Sequence, residues 1–238
     1  MSVVEFVGFI FPLLLAGTVI TLELTVLSVG IGCVIGLFAG LARLSRSRFL
    51  RVIATCYVDF LRGTPLLVQI LIVYFGIPYL VTDLQDWWHA ALGWPILIKD
   101  PNLPRFWAAV TACSLNSGAY IAEIFRAGVQ SIERGQMEAA RSLGMTQSQA
   151  MRYVILPQAF KRVVPPLGNE FIAMLKDTSL VSMIGVEELL RRGTLINADY
   201  YRPFETYITV AFIYLMITLS FSRLVDYLER RLKTGDRG

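Results

Sequence analysis

Ionisable and amide side chains stand inside stretches of sequence that are otherwise apolar, and their spacing lines several of them up. Asn116, Tyr120 and Glu123 fall at i, i+4 and i+7, which is one face of a helix; Glu170, Met174 and Asp177 repeat that spacing. Lys176 and Asp177 are adjacent, so on a helix they point apart and each needs a partner on another element. A charge at the centre of a bilayer costs roughly 2.5–3.5 kcal/mol on insertion scales, so such groups should face protein or water. Two roles stay open for them: pairing with neighbouring elements near the membrane edge, or contact with a bound solute. Glu23, alone between the charge-free runs 6–22 and 24–42, reads as an interhelical hydrogen-bonding or pore-facing group.

Other chemistry is thin. His89 is the single histidine, which excludes a His-cluster metal site made by this chain alone, and no metal ligand set is expected. Cys33, Cys56 and Cys113 form no CxxC pair, so neither a zinc knuckle nor a disulfide framework is read. HExxH and GxSxG are absent, which argues against an intramembrane enzyme, and no catalytic residue is assigned. There is no GxxxxGK[ST] phosphate loop either.

The elements that must carry the aligned residues are membrane helices. Of 238 residues, 55% are hydrophobic and only 17% charged, with mean hydropathy +0.57. Soluble domains run nearer a quarter charged. A crossing needs about 20 mostly apolar residues, and the charge-free runs predict five spans near 13–41, 64–82, 106–125, 167–186 and 205–224. The expectation is an all-α, polytopic membrane protein with about five transmembrane helices, a single domain over 1–238. The run 6–42 is too long for one straight crossing at about 1.5 Å per residue. Either an interfacial helix precedes the first span, or Pro12 and Gly17 break it. No basic residue precedes the run, so it is not read as a cleaved signal peptide.

The net charge of +4 could suggest a nucleic-acid partner, but the distribution says otherwise. Lysines and arginines outside the spans divide 16 against 5 between the two faces, the richer face taking the loops near 43–62 and 126–162 and the segment 223–237. The positive-inside rule then places the N-terminus outside and the C-terminus in the cytoplasm. On the other face, segment 83–105 carries Trp87, Trp88 and Trp94, which suit an interfacial anchor or a docking surface for an external partner. Thr64 is placed to cap the second span, with Pro65 in its first turn, and 45–62 reads as a separate cytoplasmic or interfacial helix.

Loop 127–166 holds more order than a connection needs. Residues 136–143 favour a helix, Gly144 sits where a left-handed cap is wanted, and Thr146 can cap a second helix that Pro157 ends or kinks. Ala139, Ala140 and Gly144 keep one surface low, and Glu138 and Arg141 offer charge for registration. Spacing alone leaves both a solvated amphipathic hairpin and a docking element open.

Motifs narrow the choice. Glu138-Ala139-Ala140, then Gly144, then ILP at 155–157 resembles the EAA loop of membrane subunits of binding-protein-dependent ABC importers. LRGTPLLVQ at 61–69, YIAEIFR at 120–126, LPQA at 156–159, PPLGN at 165–169 and LKDTSLVS at 175–182 resemble the subfamily for polar amino acids (histidine, glutamine, glutamate or arginine type). The likeness covers about 13–232; segment 83–105 is where this chain is least like a minimal member.

The resemblance implies a type I ABC importer permease fold in a bacterial inner membrane. It implies a second permease subunit, identical or similar, and an extracytoplasmic amino-acid-binding protein. Two separate ATPase subunits would carry ATP and Mg, with no cofactor on this chain. Residues 127–166 become the coupling loop, with Glu138, Ala139, Ala140 and Gly144 the ATPase-coupling residues. An amino acid carries an ammonium and a carboxylate, so Asn116, Tyr120, Glu123, Glu170 and Asp177 are the pathway candidates. The alternative is a secondary transporter driven by an ion gradient, with Glu123 or Asp177 as its relay; the paired repeats common in such folds are not seen.

Overall fold

The structure, a computed structural model, describes residues 2–233; Arg237, counted above on the basic face, lies outside them. Helix α1 (Val3–Arg43) is unbroken over 41 residues, about 60 Å, with Ser2 and Glu5 forming a capping box at its start. The expected break at Pro12 or Gly17 is absent. Pro12 lies inside α1, and the helix continues through it.

The inward face of α1 is a stripe of small residues: Thr18, Thr21, Thr25, Ser28, Gly32, Gly36 and Gly40 are all buried. It lies along α5 (Arg105–Gln130), where Gly32 meets Ser117 and Gly118, Gly36 meets Ile121, and Gly40 meets Ala122. Small residues let two backbones approach, which in lipid replaces the hydrophobic drive with close packing. α5 is too polar to be among the three helices that are apolar enough to cross alone: Val3–Arg43, Leu66–Leu92 and Pro203–Leu232. The bundle shields it, with its Ala108, Ala112, Cys113 and Ile121 almost fully buried.

Helix α2 (Arg48–Gly63) is the separate helix expected after the first span. Thr64 does not cap the next helix. Its hydroxyl donates to Phe60 O at 2.9 Å, closing α2, and Pro65 takes the N-cap position of α3 (Leu66–Leu71). A π turn at Ile72–Gly76 follows, then α4 (Ile77–Leu92).

Beyond α5 come α6 (Arg134–Ser142), α7 (Gln147–Ala150), a π turn (Met151–Ile155) and α8 (Leu156–Asp177). Each π turn ends two residues before a proline, Pro78 or Pro157. The wider turn accommodates a residue that lacks an N–H and pushes back the carbonyl behind it. Pro157 therefore does not end its helix, and the backbone stays helical from Gln147 to Asp177. The expected fourth span, 167–186, is only partly α-helix: α8 gives way at Thr178 to a 3₁₀ segment, Thr178–Ile184. Helices α9 (Leu189–Tyr200) and α10 (Pro203–Lys233) complete the order, and no strand occurs among the described residues.

Candidate functional site

At one end of the bundle α6 and α7 form a stiff hairpin. The amide of Met145 donates to Ala140 O (3.2 Å) and that of Gly144 to Arg141 O (3.0 Å), the paired bonds of a Schellman stop. Gly144 takes φ +85°, the left-handed conformation this stop demands. Thr146 Oγ1 accepts from Gln149 N–H at 3.3 Å, while Thr146 N–H donates to Gln149 Oε1 at 2.8 Å. This is a reciprocal capping box. Arg141 Nη1 adds a bond to Met145 O at 2.8 Å.

The four residues of the EAA signature divide. Ala140 is buried, and Ile132, Ile155 and Ala159, with Met137 and Met151, form the apolar cluster at this end of the bundle. Glu138, Ala139 and Gly144 are exposed. Beside them Leu143 is 83% exposed at the hairpin tip, where a solvated leucine has no reason of its own to be. Leu143, Gly144, Met145, Gln149 and Tyr153 line a shallow cavity of about 320 Å³. Leu143 was not singled out by spacing, since an apolar residue ending a helix reads as packing.

The hairpin is rooted on both sides. α5 enters it, and α8 leaves it as a continuation of α7. Arg162 Nη1 donates to Ser131 O across the root, and Arg46 Nη2 donates to Gln147 Oε1 at 2.7 Å from the α1–α2 connection.

The pathway candidates do not converge. Asn116 is buried and donates to Gln69 Oε1 (3.0 Å). Gln69 in turn donates to Leu61 O (2.7 Å) and Thr64 Oγ1 (2.9 Å), satisfying the carbonyl end that Pro65 interrupts. Tyr120 lies under the Arg62 guanidinium, 5.3 Å from ring centre to Cζ. Glu123 is enclosed by arginines: Arg43 Nη1 at 2.7 Å, Arg62 Nη1 at 3.8 Å, and Arg126 through both carboxylate oxygens. That contact holds the Arg126 guanidinium above the usual arginine range. The face shared by Asn116, Tyr120 and Glu123 is thus turned toward α2 and α3 and already has polar partners.

Glu170 and Asp177 sit elsewhere. Glu170 on α8 accepts from Ser117 Oγ at 2.9 Å, one residue round α5 from Asn116. Asp177 and Lys176 are both exposed at the C-terminal end of α8, and so is Glu23 on α1. Glu188 went unmarked by sequence reasoning, because a charge outside the apolar runs reads as solvated. It is fully buried, caps α9 by accepting from Leu190 and Arg191 N–H (2.9 and 2.7 Å), and accepts from Tyr214 Oη at 2.8 Å.

Known proteins share this arrangement. The glutamine transport system permease protein GlnP of Escherichia coli (strain K12) is 43% identical over 222 residues, 93% of this chain and 94% of its own length. The arginine transport system permease protein ArtQ of Bacillus subtilis (strain 168) is 39% identical, covering 94% of each chain. Among solved structures, an amino acid ABC transporter crystallised with histidines superposes with a TM-score of 0.84 at 44% identity, over 97% of this chain and 99% of that one. The methionine ABC transporter MetNI, in inward-facing conformations, shares the fold at a TM-score of 0.70 and 20% identity, over 94% of this chain and 97% of that one. With residues 32–234 matching the family described as binding-protein-dependent transport system inner membrane component, the chain belongs to that family of ABC importer permeases.

Proposed function

We propose that this chain is the permease subunit of an ATP-driven amino-acid importer, coupled through the α6–α7 hairpin to an ATPase carried on separate subunits. The observation that carries the reading is the unbroken helical path from Gln147, in the hairpin, to Asp177 at the far end of α8. A displacement imposed on the hairpin is passed along that path without an intervening loop. Glu138, Ala139 and Gly144, with Leu143, form the face that docks in the ATPase cleft; Ala140 holds that face in register from behind. ATP and Mg belong to the ATPase pair, and this chain's part is mechanical.

In this reading the hairpin end of the bundle is cytoplasmic, the N-terminus is outside, and the membrane is the bacterial inner membrane. A second permease, identical or similar, completes the pathway, and an extracytoplasmic binding protein delivers the amino acid. Glu170 and Asp177 supply the acidic groups that meet the substrate ammonium, and Lys176 is placed to meet a carboxylate. Asn116, Tyr120 and Glu123 serve the pathway as positioning residues, fixing α5 against α1, α2 and α3.

The experiment is a tagged purification in mild detergent, wild type beside Gly144→Asp. The glycine's φ strains any L-residue, and a carboxylate adds charge to the docking face. Recovery of an ATPase subunit with wild type and its loss from a well-inserted mutant is the expected result. Equal recovery and equal amino-acid uptake would overturn the coupling assignment. A single-chain preparation that takes up substrate under an ion gradient would overturn the importer reading.

A further inference from the structure

Helix α4 and the segment after it form an arm that the rest of the chain does not cover. Apart from the π turn leading into it, α4 has no substantial packing partner among the described helices. At Gly93, with φ +68°, the chain reverses, and residues 94–98 run back down beside α4. Two contacts hold them there. The His89 ring lies 2.7 Å through Nδ1 from Trp94 O. Gln85, only 3% exposed, accepts from Leu97 N–H (3.0 Å) and Ile98 N–H (2.7 Å) and donates to Ile98 O (3.1 Å).

The side chains on this returning segment are apolar and outward: Trp94 is 59% exposed, Leu97 72% and Ile98 49%. Trp87, on α4 itself, is 65% exposed and Leu92 55%. Gln85 satisfies both N–H groups of Leu97 and Ile98 and the Ile98 carbonyl, which lowers the cost of holding this irregular segment against the membrane boundary. Its height agrees. Counting from Leu66, Gln85 is the twentieth residue, about one crossing, so Leu97 and Ile98 lie at the boundary of the hydrocarbon. By the same count Trp87 stands two residues beyond Gln85, at the level where indoles collect.

The charges nearby fit a headgroup layer. Lys99 follows Ile98 directly and is exposed. Asp100 turns inward on Asn102, accepting from its N–H (2.9 Å) and Nδ2 (2.8 Å). Asp83 and Asp86 are about 160° and 100° round α4 from Gln85, away from the returning segment; Trp87 shares the face of Asp83, so the side beside the returning segment carries Leu92 and not Trp87.

We propose that α4's last turns and residues 94–98 are an interfacial anchor whose occupant is lipid: the headgroup–acyl boundary of the leaflet away from the coupling hairpin. The anchor fixes the depth of α4, which unlike α3 and the π turn before it has no other helix of its own chain to hold it. The inference rests on the membrane assignment and not on the identity of the substrate.

The test uses the transporter purified with its co-purifying subunits and placed in phosphatidylcholine–phosphatidylglycerol nanodiscs. Leu97→Cys, in a chain with Cys33, Cys56 and Cys113 changed to Ser, carries a nitroxide. Its relaxation by oxygen, which partitions into lipid, is compared with relaxation by a water-soluble nickel chelate, with and without the external binding protein. The expected result is oxygen dominance unchanged by the binding protein, beside nickel dominance at Asp100→Cys. Nickel dominance at position 97, protection by the binding protein, or disulfide capture of a second copy would each overturn the proposal. Should the cysteine-free chain fail to assemble, native fluorescence serves: brominated lipid should quench wild type more than Trp94→Phe, and equal quenching would count against the anchor.

Discussion

Gly128 and Val163 meet where α5 and α8 converge on the root of the hairpin: a Cβ placed on Gly128 would lie 2.2 Å from Val163 Cγ2. No real side chain tolerates that approach, so the two helices are as close as they are because residue 128 has none. The contact sets the spacing of the two elements that enter and leave the coupling hairpin. Gly128→Ala should cost about 1–3 kcal/mol by overpacking. Val163→Ala should recover most of it in the double mutant, read as thermal unfolding of the purified complex. An additive double mutant would mean the contact does not set the spacing.

Glu123→Gln should leave insertion intact and lower thermal stability by roughly 1–3 kcal/mol, the scale of hydrogen bonds to charged groups. The change leaves Arg43, Arg62 and Arg126 facing one another without their shared carboxylate. Substrate affinity should not change. A large affinity change with stability preserved would return Glu123 to the pathway.

Asp177→Asn should behave in the opposite way. The carboxylate is exposed in the lone chain, so stability should hold within about 0.5 kcal/mol. Uptake of amino acid by reconstituted transporter should fall at least tenfold, by loss of a charge-assisted contact worth about 1.5–3 kcal/mol. Unaltered uptake would remove Asp177 from the pathway.

Pro157→Ala restores an N–H that can bond to Tyr153 O, so the π turn at Met151–Ile155 should relax toward regular helix. The rotation of α7 against α8 would then change, and with it the aim of the hairpin. The expected outcome is a chain at least as stable as wild type, in a transporter complex whose ATPase subunits no longer respond to binding protein. Normal stimulation would show that the π turn is not needed for coupling.

What was legible in the sequence was mostly local. The hairpin's helix, its Gly144 stop and its Thr146 start follow from side chains bonding to backbone a few residues away, and spacing reveals such bonds. The continuity of α1 through Pro12 was hidden, because a proline in a helical pattern reads as a break and only the long packing of α1 along α5 shows otherwise. Glu123 aligned with Asn116 and Tyr120 as expected, but its partners Arg43 and Arg62 are remote in the chain, and no pattern along α5 announces them. The same holds for Glu188, whose burial depends on Tyr214 arriving from α10. Ala140, expected on the docking surface, is buried, and the exposed Leu143 went unmarked, because which side of a short helix faces solvent depends on what packs behind it.

The helical path from Gln147 to Asp177 has a further consequence once its size is considered. At about 1.5 Å per residue it is a beam on the order of 45 Å, so a tilt of about 5° about its middle moves each end on the order of 2 Å in opposite directions. If the path moves as one body about its middle, an inward swing of the hairpin is an outward swing of Lys176 and Asp177, and a state with both ends displaced the same way would require the beam to bend.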